Sequence, residues 1–348
     1  MRSIAFYLPQ FHPIPENDQW WGPGFTEWTN VAKARRRFPR HYQPRLPGEL
    51  GFYDLRVPET RAAQADLART HGISAFCYWH YWFGNGRTLL GRPFSEVLTS
   101  GEPDFPFCLG WANGSWTGTW HGSPGRVLIE QTYPGDDDHR AHFDALVPAL
   151  VDPRYYCIEA RPVVFLHSPN QIPDLGRFAD AWREAAAAAG LGGLFLIGQT
   201  RPVTPPDAGV LDAWVTMPLP GLRFDPLSRI MRKAFGLPRV ASYRHYVQQG
   251  AQLVPGCLSY PAVLPGWDNT ARSGSRGIVL HAATPELFKR QVEQAKALVQ
   301  ERNPEHQLVF VKSWNEWAEG NYMEPDRRYG RTFLEAFRDA FADTASTD

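Results

Sequence analysis

The run Leu308-Val309-Phe310-Val311-Lys312-Ser313-Trp314 passes without a break into Asn315-Glu316-Trp317-Ala318-Glu319-Gly320. Its first four residues are large or β-branched and uncharged, the pattern of a strand covered on both faces rather than one that alternates between core and water. Upstream, residues 303–307 are all that separate it from a helical segment at 285–302. Seven more runs of the same kind occur at residues 4–8, 73–81, 105–111, 162–167, 194–198, 211–216 and 257–263. Helical patterns at 58–70, 93–100, 138–150, 174–190, 239–249 and 332–342 fall between or after them. Pro58 stands at a helix start and Gly190 at a helix end, as the backbone of each favours.

The connections decide the architecture. After a strand the chain wanders, at 9–57, 112–137, 217–238 and 264–284, whereas after a helix it returns within a few residues, at 71–72, 101–104, 191–193 and 303–307. In a closed (β/α)8 barrel, a TIM barrel, every strand-to-helix loop lies at one end, so long loops gather around the mouth where such barrels place chemistry. An open doubly wound sheet is the rival fold. It lacks its signature here, because no glycine-rich phosphate turn follows the first strand and Gly22-Pro23-Gly24 sits inside a long loop. With neither a repeat nor a composition shift, residues 1–348 are expected to form one catalytic domain.

Composition narrows the partners. The 348 residues carry 36 basic and 36 acidic side chains, with no basic run longer than Arg35-Arg36-Arg37, which argues against nucleic acid or an anionic lipid surface. No apolar stretch approaches the ~20 residues of a membrane helix. The run before Pro9 is too short for a secretory signal, and Cys77, Cys108, Cys157 and Cys257 are scattered without a C-x-x-C pair, so a reducing cytoplasm is expected and neither zinc nor a disulfide framework. Thirteen Trp, thirteen Tyr and twenty-one Phe form an aromatic load that suits sugar: the C–H face of a pyranose stacks on a ring while its hydroxyls need paired donors and acceptors.

Chemistry is expected first at Glu316 and Glu319. Three residues apart on an extended strand they face opposite sides, but if the chain breaks into a turn at Gly320 they come to ~5–6 Å between Cβ atoms. Two carboxyls that close, walled by Trp314 and Trp317, can split their pKa values into an acid and a base, the division that glycosidic chemistry requires. The plainer alternative is a helix cap beside a solvated glutamate. A second cluster after the first strand holds Gln10, His12, Asn17, Trp20, Trp21, Phe25, Glu27, Trp28 and Asn30, which can line a sugar site or build a satellite core. On the second strand, alternation puts Tyr78 and His80 on one face and Trp79 and Tyr81 on the other; the former pair is expected at the ligand, with a satisfied core or wall histidine as the plainer reading of His80. The third strand ends in Trp111 and Asn113, followed by Trp116 and Trp120. Trp267, Asp268 and Asn269 follow strand seven, where they bind hydroxyls or make an Asx-turn, and Tyr322 and Glu324 are expected to line the mouth or pack the last helix. His139 and His142 lack partners at metal spacing and read as surface residues. Asp136-Asp137-Asp138 reads as a helix start where acids favour the dipole.

These residues also carry a resemblance. Tyr7-Leu8-Pro9-Gln10-Phe11-His12, residues 20–30 (WWGPGFTEWTN), residues 41–50 (HYQPRLPGEL), Trp111-Ala112-Asn113, Trp267-Asp268-Asn269-Thr270 and Trp314-Asn315-Glu316-Trp317-Ala318-Glu319-Gly320 resemble the WbsX-like family of polysaccharide glycosyltransferases over almost the whole chain. That family is similar to the endo-α-mannosidase/mannanase glycoside hydrolases. The resemblance implies a (β/α)8 barrel, a glycan substrate and retaining, metal-free and cofactor-free chemistry on an α-linked sugar. Glu316 would deprotonate the sugar's own 2-hydroxyl to give a 1,2-anhydro intermediate, and Glu319 would protonate the leaving oxygen and then activate water. It further implies Tyr7, Trp314 and Asn315 beside the substrate. One departure stands out: where the family pattern continues Glu-Asn-Trp-Thr-Arg-Arg, this chain reads Gly114-Ser115-Trp116-Thr117-Gly118-Thr119, without the charged groups of that loop. Three readings follow: an α-glycan hydrolase, a transferase in surface-polysaccharide synthesis, and a glycan-binding barrel without turnover.

Overall fold

Eight strands, β1 (Arg2–Tyr7), β2 (Ala75–His80), β3 (Phe107–Trp111), β4 (Arg161–Leu166), β5 (Phe195–Thr200), β6 (Ala213–Thr216), β7 (Ser259–Val263) and β8 (Leu308–Val311), pair side by side in chain order. All eight pairings are parallel, and β8 closes on β1 with Ile4 opposite Phe310, making a (β/α)8 barrel. The computed structural model describes residues 1–118, 126–205, 207–217, 232 and 235–342.

Packing explains the closure. Phe6 stacks on Trp79 with ring centroids 4.8 Å apart and meets Phe165 at 4.8 Å and Phe310 at 5.6 Å, so rings from β1, β2, β4 and β8 fill the barrel. Each such wholly buried ring contributes roughly 1.5–3 kcal/mol relative to exposure. Gly110 makes space for one of them: a Cβ there would stand 3.0 Å from Cys77 Sγ and 3.1 Å from the Trp79 indole. Outside, helices Pro58–Thr70, Arg92–Ser100, Asp136–Leu150, Leu175–Ala188, Pro285–Ala297 and Thr332–Phe341 cover the strands. The β5–β6 connection carries no helix among its described residues.

Several local expectations change. Residues 239–249 do not form one helix; Arg239–Ser242 pairs as a strand with Ile278–His281 before the helix Tyr243–Gln248 begins, because Ala241 and Tyr243 join Leu264, Trp267 and Leu280 in a satellite core. The long loop after β1 contains two short helices, Pro15–Trp21 and Glu27–Lys33. His139 and His142 are buried, not at the surface, since the face they share packs against Trp111, Phe178 and Trp182. Asp136, Asp137 and Asp138 do open their helix, with Asp138 accepting from the Trp82 indole and the Asn85 amide and Asp136 pairing with Arg177.

Candidate active site

Beyond β8 the chain makes a tight hairpin. Asn315–Glu316 pairs antiparallel with Asn321–Tyr322, and a single 3-10 turn, Trp317–Glu319, joins them. The entry is anchored to β1: Trp314 N–H donates to the Phe6 carbonyl at 2.7 Å, while the Asn315 amide accepts from Leu8 N at 2.7 Å and donates to Leu8 O at 3.0 Å. The exit needs glycine. Gly320 has φ +58, and a Cβ would lie 2.9 Å from Asp268 Cβ and 3.0 Å from Arg45 Nε, so any other residue is both strained and crowded. The turn brings Glu316 and Glu319 within hydrogen-bonding reach of each other.

Their surroundings divide them. Burial works to raise the Glu316 carboxyl, but Lys312 at 3.8 Å, a hydrogen bond from Glu319, Arg272, and the Trp79 indole N–H at 3.3 Å outweigh it and hold Glu316 at about 2. Glu319 moves the other way, pushed well above the carboxyl range by burial and by the neighbouring Glu316 charge, against the pull of Arg272. One carboxyl is ionised and the other keeps its proton. Arg272 spans the pair's flank, donating Nη1 to Glu319 Oε1 at 2.7 Å and Nη2 to Glu27, whose Oε1 also accepts from Ala318 N–H at 3.2 Å. Burial raises the Glu27 carboxyl and Arg272 opposes it.

Both glutamates open onto a cavity of about 920 Å3. Trp79, Tyr81, His167, Trp267 and Lys312 wall it together with Gln199, Arg201, Asp207 and Trp214. The His167 ring, edge-on to Trp79 at 5.5 Å, is lowered to about 4 by burial and then by Lys312, so it is neutral. A smaller cavity of about 180 Å3 shares Tyr81 and Arg272 with the first and is lined also by Gln10, Trp21, Glu27 and Trp116. Aromatic walls, neutral amides and an acid–base pair suit a polyhydroxylated ligand.

Residues 3–337 match the model of the family described as glycosyltransferase WbsX. The chain belongs to that family. By its description the WbsX family is one of carbohydrate-active enzymes. Two relatives named "Uncharacterized protein WxcX", from two strains of Xanthomonas campestris pv. campestris, are each 39% identical over 349 residues, covering 97% of this chain. The match takes in 49% of each relative, so the chain spans about half the length of the curated relatives it matches. Among solved structures, a glycoside hydrolase-like protein aligns with a TM-score of 0.64 at 15% identity, covering 98% of this chain and 93% of the other. The GH99 endo-alpha-mannosidase from Bacteroides thetaiotaomicron aligns with a TM-score of 0.57 at 16% identity, covering 97% and 98%. At such identities the likeness is one of fold.

In this WbsX-family barrel the residues singled out from sequence separate into three places. Glu316, Glu319, Trp79, Tyr81 and Trp267 reach the large cavity, and Gln10, Asn17, Trp21, Phe25, Glu27, Asn30 and Trp116 reach the small one. The others lie behind these walls. Tyr78 and His80 point to the helices, Tyr78 against Tyr7 and Phe94 and His80 against His142 at 2.8 Å, because Trp79 and Tyr81 take the inward face. Trp111 is likewise outward, among His142, Phe178 and Trp182. Trp314 packs on Phe76, and Trp28 on Phe11, Tyr53 and Trp317. His12 is buried outside both cavities.

The polar residues of this hidden set hold the frame. Asn315 clamps Leu8 as described, and Asn113 does the same between β3 and β4, accepting from Ser168 N at 2.8 Å and donating to Ser168 O at 2.8 Å. Asp268 is wholly buried among His41, Gln43 and Thr270, and Asn269 accepts from Ile278 N at 2.7 Å. Tyr7 donates to Gln64, Gln64 to Glu324, and Tyr53 and Trp317 both donate to Glu324, which therefore lies beneath the hairpin rather than at the mouth. Tyr322 stacks on Trp317 at 3.8 Å and donates to Asp326, so it too leaves the mouth. Trp120 and Thr119 lie outside the described residues.

Three residues of consequence escape sequence reasoning. Arg272 comes from a short helix after β7, Thr270–Ser273, and nothing in its local sequence marks it. Lys312 stands four residues before Glu316, a spacing that reads as pairing only if the chain coils, which it does by the hairpin. His167 follows β4 with no motif around it. The signal available was topological: His167 and Lys312 follow the last residues of β4 and β8 directly, and Arg272 lies on the strand-to-helix connection after β7.

Proposed function

We propose that the chain is a retaining glycoside hydrolase acting, by an endo mode, on an α-linked glycan, with Glu316 as base and Glu319 as acid. The observation that carries this reading is a pair of buried carboxyls within hydrogen-bonding reach of each other, lining one aromatic cavity, whose surroundings drive their pKa values in opposite directions. A sugar across the pair exchanges their mutual hydrogen bond for two others, 2-hydroxyl to Glu316 and Glu319 to the glycosidic oxygen. Glu316 takes the 2-hydroxyl proton as O2 closes on C1, and Glu319 gives its proton to the leaving oxygen, leaving a 1,2-anhydro sugar. In the return step Glu319 takes a proton from the water that attacks C1 while Glu316 gives its proton back to O2, so two inversions sum to retention. The closure needs O2 and the leaving oxygen trans across the ring, as in an α-linked manno-configured sugar.

Lys312, Arg272 and the Trp79 N–H offset the charge on the base, and Trp267 and Tyr81 offer faces for stacking. We infer that residues 1–348 act as one catalytic unit, a reading supported by the eight strands from residues 2–311 closing into a single barrel. Cys77 and Cys108, register partners on β2 and β3 and both free thiols, suit a reducing cytoplasm. No helix among the described residues is long and apolar enough to cross a membrane.

The family description favours a second reading, transfer, in which a glycan hydroxyl rather than water opens the anhydro sugar on the same two residues. A metal-dependent route through Asp136, Asp137 and Asp138 has less support, because Asp136 and Asp138 are engaged by Arg177 and Trp82. Incubating the protein with α-linked glycans, with and without sugar nucleotides, and following product anomers by NMR separates the two. Retained α-product in water alone is expected. Product only with sugar nucleotide moves the assignment to transfer, and binding with no product under any condition moves it to a glycan-binding barrel.

A further inference from the structure

We propose that the smaller cavity is a second sugar site, in which the Asn17 amide reads the hydroxyls of a neutral pyranose residue adjoining the one held at Glu316 and Glu319. This rests on the reading of that pair as glycosidic machinery. Asn17, on the helix Pro15–Trp21, is 0% exposed and lies on the cavity wall. Among the described residues neither its Nδ2 nor its Oδ1 has a hydrogen-bond partner. A buried amide with both groups unpaired is costly, and a partner that both accepts and donates removes the cost at once. Two neighbouring hydroxyls of a sugar ring fit that demand, one for each amide atom.

The walls agree with such a ligand. Trp21 and Phe25, ring centroids 6.0 Å apart, stand on the same loop as Asn17, and Trp116 comes from the loop after β3. Among the described residues the one cation at this cavity is Arg272, already bound by Glu27 and Glu319, so none of them offers an acidic sugar a free counter-charge. At about 180 Å3 the space suits one ring rather than a chain. Tyr81 and Arg272 line both cavities, which makes the two sites adjacent. The substrate is therefore at least a disaccharide of neutral sugars, and single-ring glycosides are poor ligands.

Calorimetric titration tests this on the wild-type chain and on Asn17→Ala, using α-linked disaccharides of mannose, glucose and galactose, each against its methyl monoglycoside. At least one disaccharide is expected to bind wild type 10-fold or more tightly than its monoglycoside, and Asn17→Ala is expected to erase that advantage while leaving monoglycoside affinity unchanged. Asn17→Ser, which keeps one hydrogen-bonding group, is expected to restore part of it and serves if the alanine variant fails to fold. Disaccharide affinity that is indifferent to Asn17, an equal loss for both ligand sizes, or no disaccharide preferred over its monoglycoside overturns the proposal. Because binding is read without turnover, Asn17-dependent binding with no cleavage rejects the catalytic reading alone. Cleavage that ignores Asn17 rejects this site alone.

Discussion

Trp79 on the second strand donates its indole N–H to Glu316 Oε1 across 3.3 Å, a contact that links the barrel wall to the hairpin beyond the last strand. It exists because Gly110 on β3 leaves the indole its place against Phe6. Trp79→Phe keeps the stack and loses the donor. We expect kcat to fall about 100-fold, the low end of what a single lost donor to a catalytic charge costs, with little change in Tm. Gly110→Ala crowds the ring instead and is expected to cost ~1–3 kcal/mol in denaturant unfolding.

Glu316→Gln and Glu319→Gln should each lower kcat by at least ~100-fold if both move protons. The pH profile gives the sign: activity requires Glu316 ionised and Glu319 protonated. Rate therefore rises as pH climbs through the depressed pKa of Glu316 and falls as it climbs through the raised pKa of Glu319. Full turnover in both variants rejects the assignment.

Arg272 balances Glu27 and Glu319 in a nearly dry site. Removing it with Arg272→Met leaves Glu27 without its partner, and we expect a loss of ~3–5 kcal/mol in urea unfolding. The double variant Glu27→Gln/Arg272→Met should recover a measurable part of that loss, since the stranded carboxyl is gone.

Glu324 is raised to about 7, by burial, against the donors Trp317, Gln64 and Tyr53. A carboxyl whose folded pKa exceeds its unfolded value favours folding in its protonated form, so its contribution is full below the ordinary carboxyl range and is lost as pH rises to about 7. At ~1.4 kcal/mol per unit this amounts to about 3 kcal/mol. Unfolding free energy measured from pH 4.5 to 7.5 should decline less in Glu324→Gln than in wild type; identical slopes reject the raised pKa.

The barrel was legible in sequence because its signals are local. Uncharged β-branched runs mark doubly covered strands, and the imbalance between long and short connections marks one mouth. Boundaries were less so: residues 239–242 look helical until Ile278–His281 arrives from 39 residues along the chain to pair with them. The glutamate pair was legible for the same reason as the strands, since Gly320 announces the turn that joins them.

By itself, the sequence determined which residues could carry acid–base chemistry and roughly where along the chain they stand. Only the tertiary structure decided which of them face ligand. Strand alternation says that Tyr78 and Trp79 point opposite ways but not which way is inward; that depends on Phe6, Gly110 and Phe165 from other strands, which make room for the Trp79 indole inside the barrel. Asn113 and Asn315 look like sugar ligands in isolation, yet they pair with backbone groups of neighbouring strand ends. The charges on Glu316 and Glu319 were settled last of all, by Lys312, Arg272 and Trp79, because electrostatic fields depend on distance through space and not on separation along the chain.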